Sequence, residues 1–534
     1  MRSLYLIVAL LNVWSVWGQT FNKRYDLRDI GRPNGSWGIE RTLDNDYIVI
    51  VVSSEMDTLE PGLYFSHYAV GLTKINGATG EKLWDKRFFP PMHGYTAGWA
   101  NCCDSMPGGG VVVAGSIEDL DDNLMVHLAA FDANGDTVFT RNLGHPGPRW
   151  NAFQVKRLQD GGFIIVGQTQ ATGYLDGFAI RTDDVGNEVW RKTYGQPSPQ
   201  TDALVFVVEL PDGNLLFGGS KYPTNTTRTH WLIKADPSGE IITDALWPET
   251  VLAGGPSISL LSNGDILVAS NVPYAPNYLQ DRFYLAAVDP LDLSIIWEKE
   301  YASPAFFQVL YTVKETPTGD IIACGVSEEA GGMQGVLLRT TSEGDSLWMF
   351  RYFYQDDVIS TGTGQFYDVL PTPDGGFIAT GPTYNPLNEQ YPPGYSQDAW
   401  VVKVDGQGCI VPGCNSVGIE EQATNLLDAL RIWPNPVHSR GQVHVELDLP
   451  PSVQTKDLEL SIVSMDGKVV YRQAVSPLLG RGAAVLRGGG NGNAAGVSLS
   501  HSFTFSLYHP SSGLYHLHIT NGTTWLTGGK LVVE

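Results

Sequence analysis

The sequence predicts an all-β protein, a seven-bladed β-propeller followed by a small C-terminal immunoglobulin-like β-sandwich. Three observations carry this: a turn-and-strand unit recurring along the first four hundred residues, a composition suited to short strands, and a change of pattern near residue 416. Among 534 residues, 60 are Gly and 57 are Trp, Tyr or Phe, while only 17% are charged, a balance that favours strands and glycine turns over helices.

The repeat is read from Asp160-Gly161-Gly162-Phe163-Ile164-Ile165-Val166-Gly167. It recurs at 108–115, 212–219, 263–270, 318–325 and 374–381, with a weaker copy at 45–52. The first apolar residue of each copy falls at Tyr47, Val111, Phe163, Leu215, Ile266, Ile321 and Phe377, in steps of 64, 52, 52, 51, 55 and 56 residues. A period of this size signals a solenoid or propeller. The short continuous apolar run suits a strand buried on both faces. A second strand, an Asp or Asn turn and a third strand follow it, as in 178–183 and Val189-Trp190-Arg191-Lys192-Thr193-Tyr194, and a further strand precedes it. Four strands per period make one blade, and seven periods close a propeller.

The seventh period lacks its outer strand: after 399–405 comes Cys409-Ile410-Val411-Pro412-Gly413-Cys414. Near the other end, Phe21-Asn22-Lys23-Arg24-Tyr25 has the pattern of Trp84–Phe88 and Trp297–Tyr301 without strands of its own. It is expected to complete blade seven and remove two open edges. The recurring Trp84, Trp190, Trp297 and Trp348 are expected to pack between blades.

Residues 1–18 read as a signal peptide, with Arg2, an apolar run from Leu4 and cleavage after Gly18. Export permits disulfides. Pro412 and Gly413 would turn the chain so that Cys409 and Cys414 meet, whereas Cys102, Cys103 and Cys324 read as buried thiols. The formal charge of −23 argues against nucleic-acid binding. No cofactor or metal is expected. His516 and His518 share a strand face and are too few for a metal site.

Short turns leave the long connections gathered on the opposite propeller face. Tyr64, Tyr222, Tyr274, Tyr278, Tyr384, Tyr391 and Tyr395 lie in them, a composition suited to glycan or protein binding. Trp37, Trp99 and Trp150, near the starts of innermost strands, are candidates for the channel mouth. The sequence contains no recognisable catalytic motif, and the acid pairs Asp121-Asp122, Asp183-Asp184 and Asp356-Asp357 read as turn caps. The expected function is a binding or adhesion module, the alternative a secreted propeller hydrolase or lyase acting on polysaccharide.

The domains are expected at 19–416 and 428–534, joined by a linker at 417–427. The second carries eight Lys+Arg against seven Asp+Glu, leaving −24 on the rest, and shows six or seven short strand signals. Its Pro434-Asn435-Pro436, Asp466-Gly467-Lys468, Gly513-Leu514-Tyr515 and terminal Gly529-Lys530-Leu531-Val532-Val533 resemble the type A C-terminal sorting domain of bacterial type IX secretion cargo. A glycine-rich insertion at 480–496 departs from that pattern. The resemblance implies a sorting signal including Pro434, Asn435, Pro436, Asp466, Gly467, Lys468, Gly513, Tyr515, Lys530 and Val532. Its implied partners are the type IX outer-membrane machinery and its sortase, with frequent attachment to surface lipopolysaccharide. The implied location is secreted or at the outer-membrane surface, reached through the periplasm.

Overall fold

The computed structural model describes residues 19–25, 27, 34–60, 63–88, 93–119, 121, 123–195, 201–222, 229–247, 256–274, 280–329, 332–354, 363–384, 397–411, 430–438, 441–449, 458–464, 469–475, 485–487, 498–506, 512–521 and 524–534. The expected signal peptide lies outside them. Contacts divide the chain into Met1–Ile410 and Val411–Glu534.

The described residues of the first unit form antiparallel sheets of four or five strands, each built from consecutive strands except the last. The sheet of Trp150–Arg157, Phe163–Thr169, Asp176–Thr182 and Glu188–Tyr194 typifies them. Its second and third strands are almost wholly buried, and its outer strand mixes exposed and half-buried residues. The innermost strand of each sheet packs on the sheet before it, and Asn34–Arg41 packs on Phe377–Tyr384 and Gln397–Val404 of the last sheet. Radial packing of successive four-stranded sheets defines a β-propeller.

Closure occurs as the sequence led us to expect. Phe21–Tyr25 pairs with Gln397–Val404 in the register Phe21↔Lys403 to Tyr25↔Ala399, so the earliest described strand completes a sheet made otherwise of 363–404.

A recurring clasp joins neighbouring sheets. Six outer strands offer an aromatic ring to a turn glycine of the next sheet: Phe21 to Gly80, Trp84 to Gly135, Phe139 to Gly186, Trp190 to Gly239, Trp297 to Gly344 and Trp348 to Gly408. Two residues on, Lys23, Lys86, Lys192 and Lys299 pair with Glu81, Asp136, Glu240 and Asp345. Four residues on, the hydroxyls of Tyr25, Tyr194, Tyr301 and Tyr352 donate to the carbonyls of Gly80, Gly239, Gly344 and Gly408 at 2.6–2.8 Å. The four recurrent tryptophans are thus inter-sheet packing residues, half-buried or buried.

Glycine is required at these turns for two reasons. At Gly239, φ is +82°, and a Cβ would lie 2.8 Å from the Trp190 ring. Gly239→Ala is therefore expected to destabilise the protein by about 1–3 kcal/mol, measured as a lower urea midpoint. A midpoint unchanged from the wild type would show that the contact contributes nothing.

One expected loop is instead a ladder. Residues 53–67 continue the hairpin Tyr47–Glu60 and Leu63–Ile75, paired from Ser53↔Ala69 to Glu60↔Leu63. No Gly or Pro interrupts 53–60, so the pairing runs on as far as Glu60↔Leu63.

The described residues of the second unit form two four-stranded sheets. One orders Leu430–Trp433, Gln442–Leu449, Ser498–Ser506 and Val485–Arg487; the other orders Val469–Ala474, Leu458–Ser464, Gly513–Asn521 and Thr524–Val533. Val443, Val445, Leu447 and Phe505 from the first share a core with Leu460, Ile462, Leu517, Ile519 and Leu531 from the second. The described residues hold eight strands where six or seven are expected, because part of the glycine-rich insertion, Val485–Arg487, pairs with Ser498–Ser506.

Cys102, Cys103 and Cys324 are buried free thiols, as read. The hydrogen bond to Cys102 and burial push the Cys103 thiol well above its usual range. Cys409 is buried, and Cys414 lies outside the described residues.

Candidate functional site

The propeller axis collects side chains from innermost strands through a shared irregularity. In Asn34–Arg41 the ladder slips between Ser36 and Gly38, in Trp150–Arg157 between Ala152 and Gln154, in Ala203–Glu209 between Leu204 and Phe206, and in Gln308–Glu315 between Leu310 and Thr312. Trp37, Phe153, Val205 and Tyr311 are the residues left over at these bulges, which re-aim a side chain out of the strand's alternation. Two further innermost strands are interrupted at the same level, leaving Trp99 between Gly94–Ala97 and Cys103–Met106, and Tyr367 between Thr363–Gly364 and Asp368–Pro371.

Freed carbonyls at these points are recaptured by neighbouring sheets. The amide of Asn101 donates to Trp37 O at 3.1 Å and that of Trp99 to Phe153 O at 2.8 Å, while the Thr312 hydroxyl donates to Tyr367 O at 2.7 Å. The bulges are therefore held in place rather than frayed.

The result is an aromatic cluster. Trp37 stacks on Tyr367 with centroids 4.7 Å apart and planes 9° apart. Trp99 lies 6.1 Å from Trp37, 6.0 Å from Tyr367 and 6.4 Å from Tyr311, and Tyr311 lies 5.0 Å from Tyr367. Trp99 is 36% exposed and Tyr367 only 5%, with Trp37 and Tyr311 half-buried between them in exposure. The Trp37 indole N–H is buried without a partner among the described residues.

Farther along the same strands, toward the glycine turns, lies an ionic group. Lys314 pairs with Asp368 at 2.9 Å and Lys156 with Asp104 at 3.6 Å. Asp368 is wholly buried and also accepts from the amides of Ile39 at 3.1 Å and Val369 at 2.8 Å. Burial pushes the nearby Glu40 carboxyl up to about 7; Lys314 and Lys156 oppose the rise, and Asp104 and Asp368 add to it. Burial works against the Lys314 ammonium, but Asp368 and Glu40 outweigh it and hold it above its ordinary value.

The expected ligand residues divide accordingly. Trp99 joins the axial cluster. Trp150 does not: it is 2% exposed, paired with Thr169 before the bulge, and packs edge-on to Phe178 at 5.2 Å, so the channel-mouth assignment is corrected to inter-sheet core. Tyr222 is half-buried beside the strand Leu215–Lys221, its amide bonded to Asp202. Tyr274 is half-buried under the Arg282 guanidinium, 4.5 Å from its ring. Tyr64 and Tyr384 fall in the strands Leu63–Ile75 and Phe377–Tyr384, and Tyr278, Tyr391 and Tyr395 lie outside the described residues. Of the turn acids, Asp183 caps its own hairpin through the amides of Val185 and Asn187.

Two motifs of the second unit meet in space. The Asn435 side chain donates to Lys530 O and accepts from Val532 N, both at 2.8 Å, so Pro434-Asn435-Pro436 clamps the terminal strand. Lys530 is exposed, Val532 is 36% exposed and Tyr515 is buried; Gly513 opens the strand Gly513–Asn521, and Asp466, Gly467 and Lys468 lie outside the described residues.

No family model and no curated protein matches the chain. Solved structures to which it is similar include the WD40 domain of SCAP from fission yeast, at 10% identity over 72% of this chain and 98% of that one with a TM-score of 0.34. Sqt1 from Chaetomium thermophilum gives 10%, 80%, 97% and 0.38 in the same order, and the phage phi92 endosialidase 10%, 96%, 87% and 0.39.

Proposed function

We propose that this chain is an exported bacterial protein whose closed, seven-bladed propeller is a binding or adhesion module for a glycan or protein, engaged through the axial aromatics. The observation that carries the reading is the cluster of Trp37, Trp99, Tyr311 and Tyr367, with Trp99 exposed, Trp37 and Tyr311 half-buried and Tyr367 buried. Stacked rings on rigid strands offer area at little entropic cost, and a sugar or an aromatic side chain lies flat on such a surface. The second unit acts in this reading as an immunoglobulin-like sorting domain for the type IX machinery and its sortase, with lipopolysaccharide attachment as one fate. The Asn435 clamp on Lys530 and Val532 supports treating those separated motifs as one surface. A Cys409–Cys414 disulfide belongs to the same exported setting.

The test uses the mature chain, residues 19–534, on a glycan and polysaccharide array read for both retention and new reducing ends. Retention without release, weakened about five- to thirty-fold by Trp99→Ala, is the expected result, since stacking on one aromatic is worth about 1–2 kcal/mol. Retention unchanged by that substitution would refute the axial site.

The hydrolase or lyase reading is favoured by one observation, the group of Glu40, Asp104 and Asp368 with its two lysines. A carboxyl pushed up to about 7 with other carboxyl groups nearby is an arrangement that general acid catalysis uses. New reducing ends that disappear in Glu40→Gln would establish it.

A further inference from the structure

The clasp that joins successive sheets fails at one junction. The outer strand Ile241–Leu246 carries Thr243 and Ala245 where its neighbour has Trp190 and Lys192, and Trp247 follows where that neighbour has Tyr194. The receiving turn has Leu293 at positive φ (61°) where the others have glycine. Beside this junction a cavity of about 310 Å³ opens between the two sheets, lined among others by His230, Trp247, Val272, Tyr284, Glu298 and Glu300.

Its walls are chemically divided. Trp247 and Tyr284 are buried at the back, 8% and 6% exposed, with centroids 5.9 Å apart and planes at 71°. His230 stands edge-on to Trp247 at 6.3 Å. Glu298 and Glu300 are exposed. Glu300 is already paired with Arg282 at 3.0 Å, and the Lys299 ammonium is drawn to Asp345 of the next sheet. Glu298 accepts the Tyr284 hydroxyl at 2.5 Å, and no cation pairs with it among the described residues.

We propose that this cavity is a binding site for a small alkylammonium cation, its methyl or methylene groups against Trp247 and Tyr284 and its charge beside Glu298. Perpendicular aromatic walls attract a cation through the ring quadrupole, and a carboxylate without a counter-charge supplies the remaining attraction. A neutral sugar would gain from the rings but leave the carboxylate charge uncompensated.

The probes are choline chloride and tetramethylammonium chloride, titrated calorimetrically into the mature chain at low ionic strength, with uncharged 3,3-dimethyl-1-butanol as isostere. Both cations are expected to bind one per chain, the alcohol at least about tenfold more weakly, and Glu298→Gln to lose about tenfold in cation affinity. Because Glu298 is exposed, that variant is expected to keep the wild-type melting curve. A second variant, Val272→Trp, fills the cavity from its half-buried wall and should abolish binding. Absence of cation binding, equal binding of alcohol and cation, or full affinity in Glu298→Gln would overturn the proposal.

Discussion

A mature chain beginning at residue 28 is expected to melt more than about 10 °C below the full mature chain, or to aggregate on purification. What it loses is specific. Phe21, Tyr25 and Leu27 are buried, and the ladder to Gln397–Val404 disappears. So do the Tyr25 hydroxyl bond to Gly80 at 2.7 Å, the Trp400 indole bond to Asn22 at 2.6 Å and the Arg24–Asp398 pair at 3.4 Å. Removing one large buried aromatic typically costs about 3–5 kcal/mol, so two cost about 6–10 kcal/mol, comparable to a domain's usual net stability of about 5–15 kcal/mol. The deletion also bares a hydrogen-bonding edge on Gln397–Val404, which invites pairing between chains. Tyr25→Phe isolates the hydroxyl and should cost only about 1 kcal/mol. Circular-dichroism melts of the three proteins check this; an unchanged curve for the truncated chain would mean that the strand does not close the ring.

This closure was legible because the clasp has a linear signature. Phe21-Asn22-Lys23-Arg24-Tyr25 and Trp297-Glu298-Lys299-Glu300-Tyr301 place an aromatic, a cation and a tyrosine at the same spacing, and Gly80-Glu81 and Gly344-Asp345 answer with glycine and acid. Periodicity of this kind survives in one dimension. The axial cluster survives only in part: Trp37 and Trp99 stand out near the starts of innermost strands, but Tyr311 and Tyr367 do not, because the four come from four sheets and reach the axis through bulges and interruptions that break the alternation a strand reading relies on. Trp150 shows the limit: it stands three residues before the bulge residue Phe153 and is buried, whereas Trp37 is itself the bulge residue. The ionic group had a faint signal that went unread. Glu40, Lys156 and Lys314 each follow a bulge aromatic by three residues, at Trp37, Phe153 and Tyr311. Aligning the innermost strands on those aromatics would have placed three charges at one level of the channel.

That ionic group yields the other large effect. Lys314→Met is expected to cost about 3–5 kcal/mol at pH 8, because it strands the wholly buried Asp368 carboxylate, whose remaining partners are the two backbone amides. Lys314→Met combined with Asp368→Asn removes both charges and should recover much of the loss, which separates the cost of an orphaned charge from that of lost packing. Glu40 adds a pH dependence of opposite origin. Its carboxyl titrates near 7 in the folded chain and near 4.5 when unfolded, so between those values the folded state holds a proton that the unfolded state has released. Stability therefore falls as pH rises through this window. Glu40→Gln removes that slope and should make the variant more stable than wild type at pH 8, with little difference at pH 4.5. In Lys314→Met the first of the two cations opposing the rise is gone, so Glu40 holds its proton to still higher pH. Urea titrations of the four proteins at pH 4.5, 6 and 8 test the network as a unit. A Lys314→Met midpoint equal to wild type at pH 8 would mean that Asp368 is solvated rather than buried, and a Glu40→Gln slope parallel to wild type would assign the pH dependence to other groups.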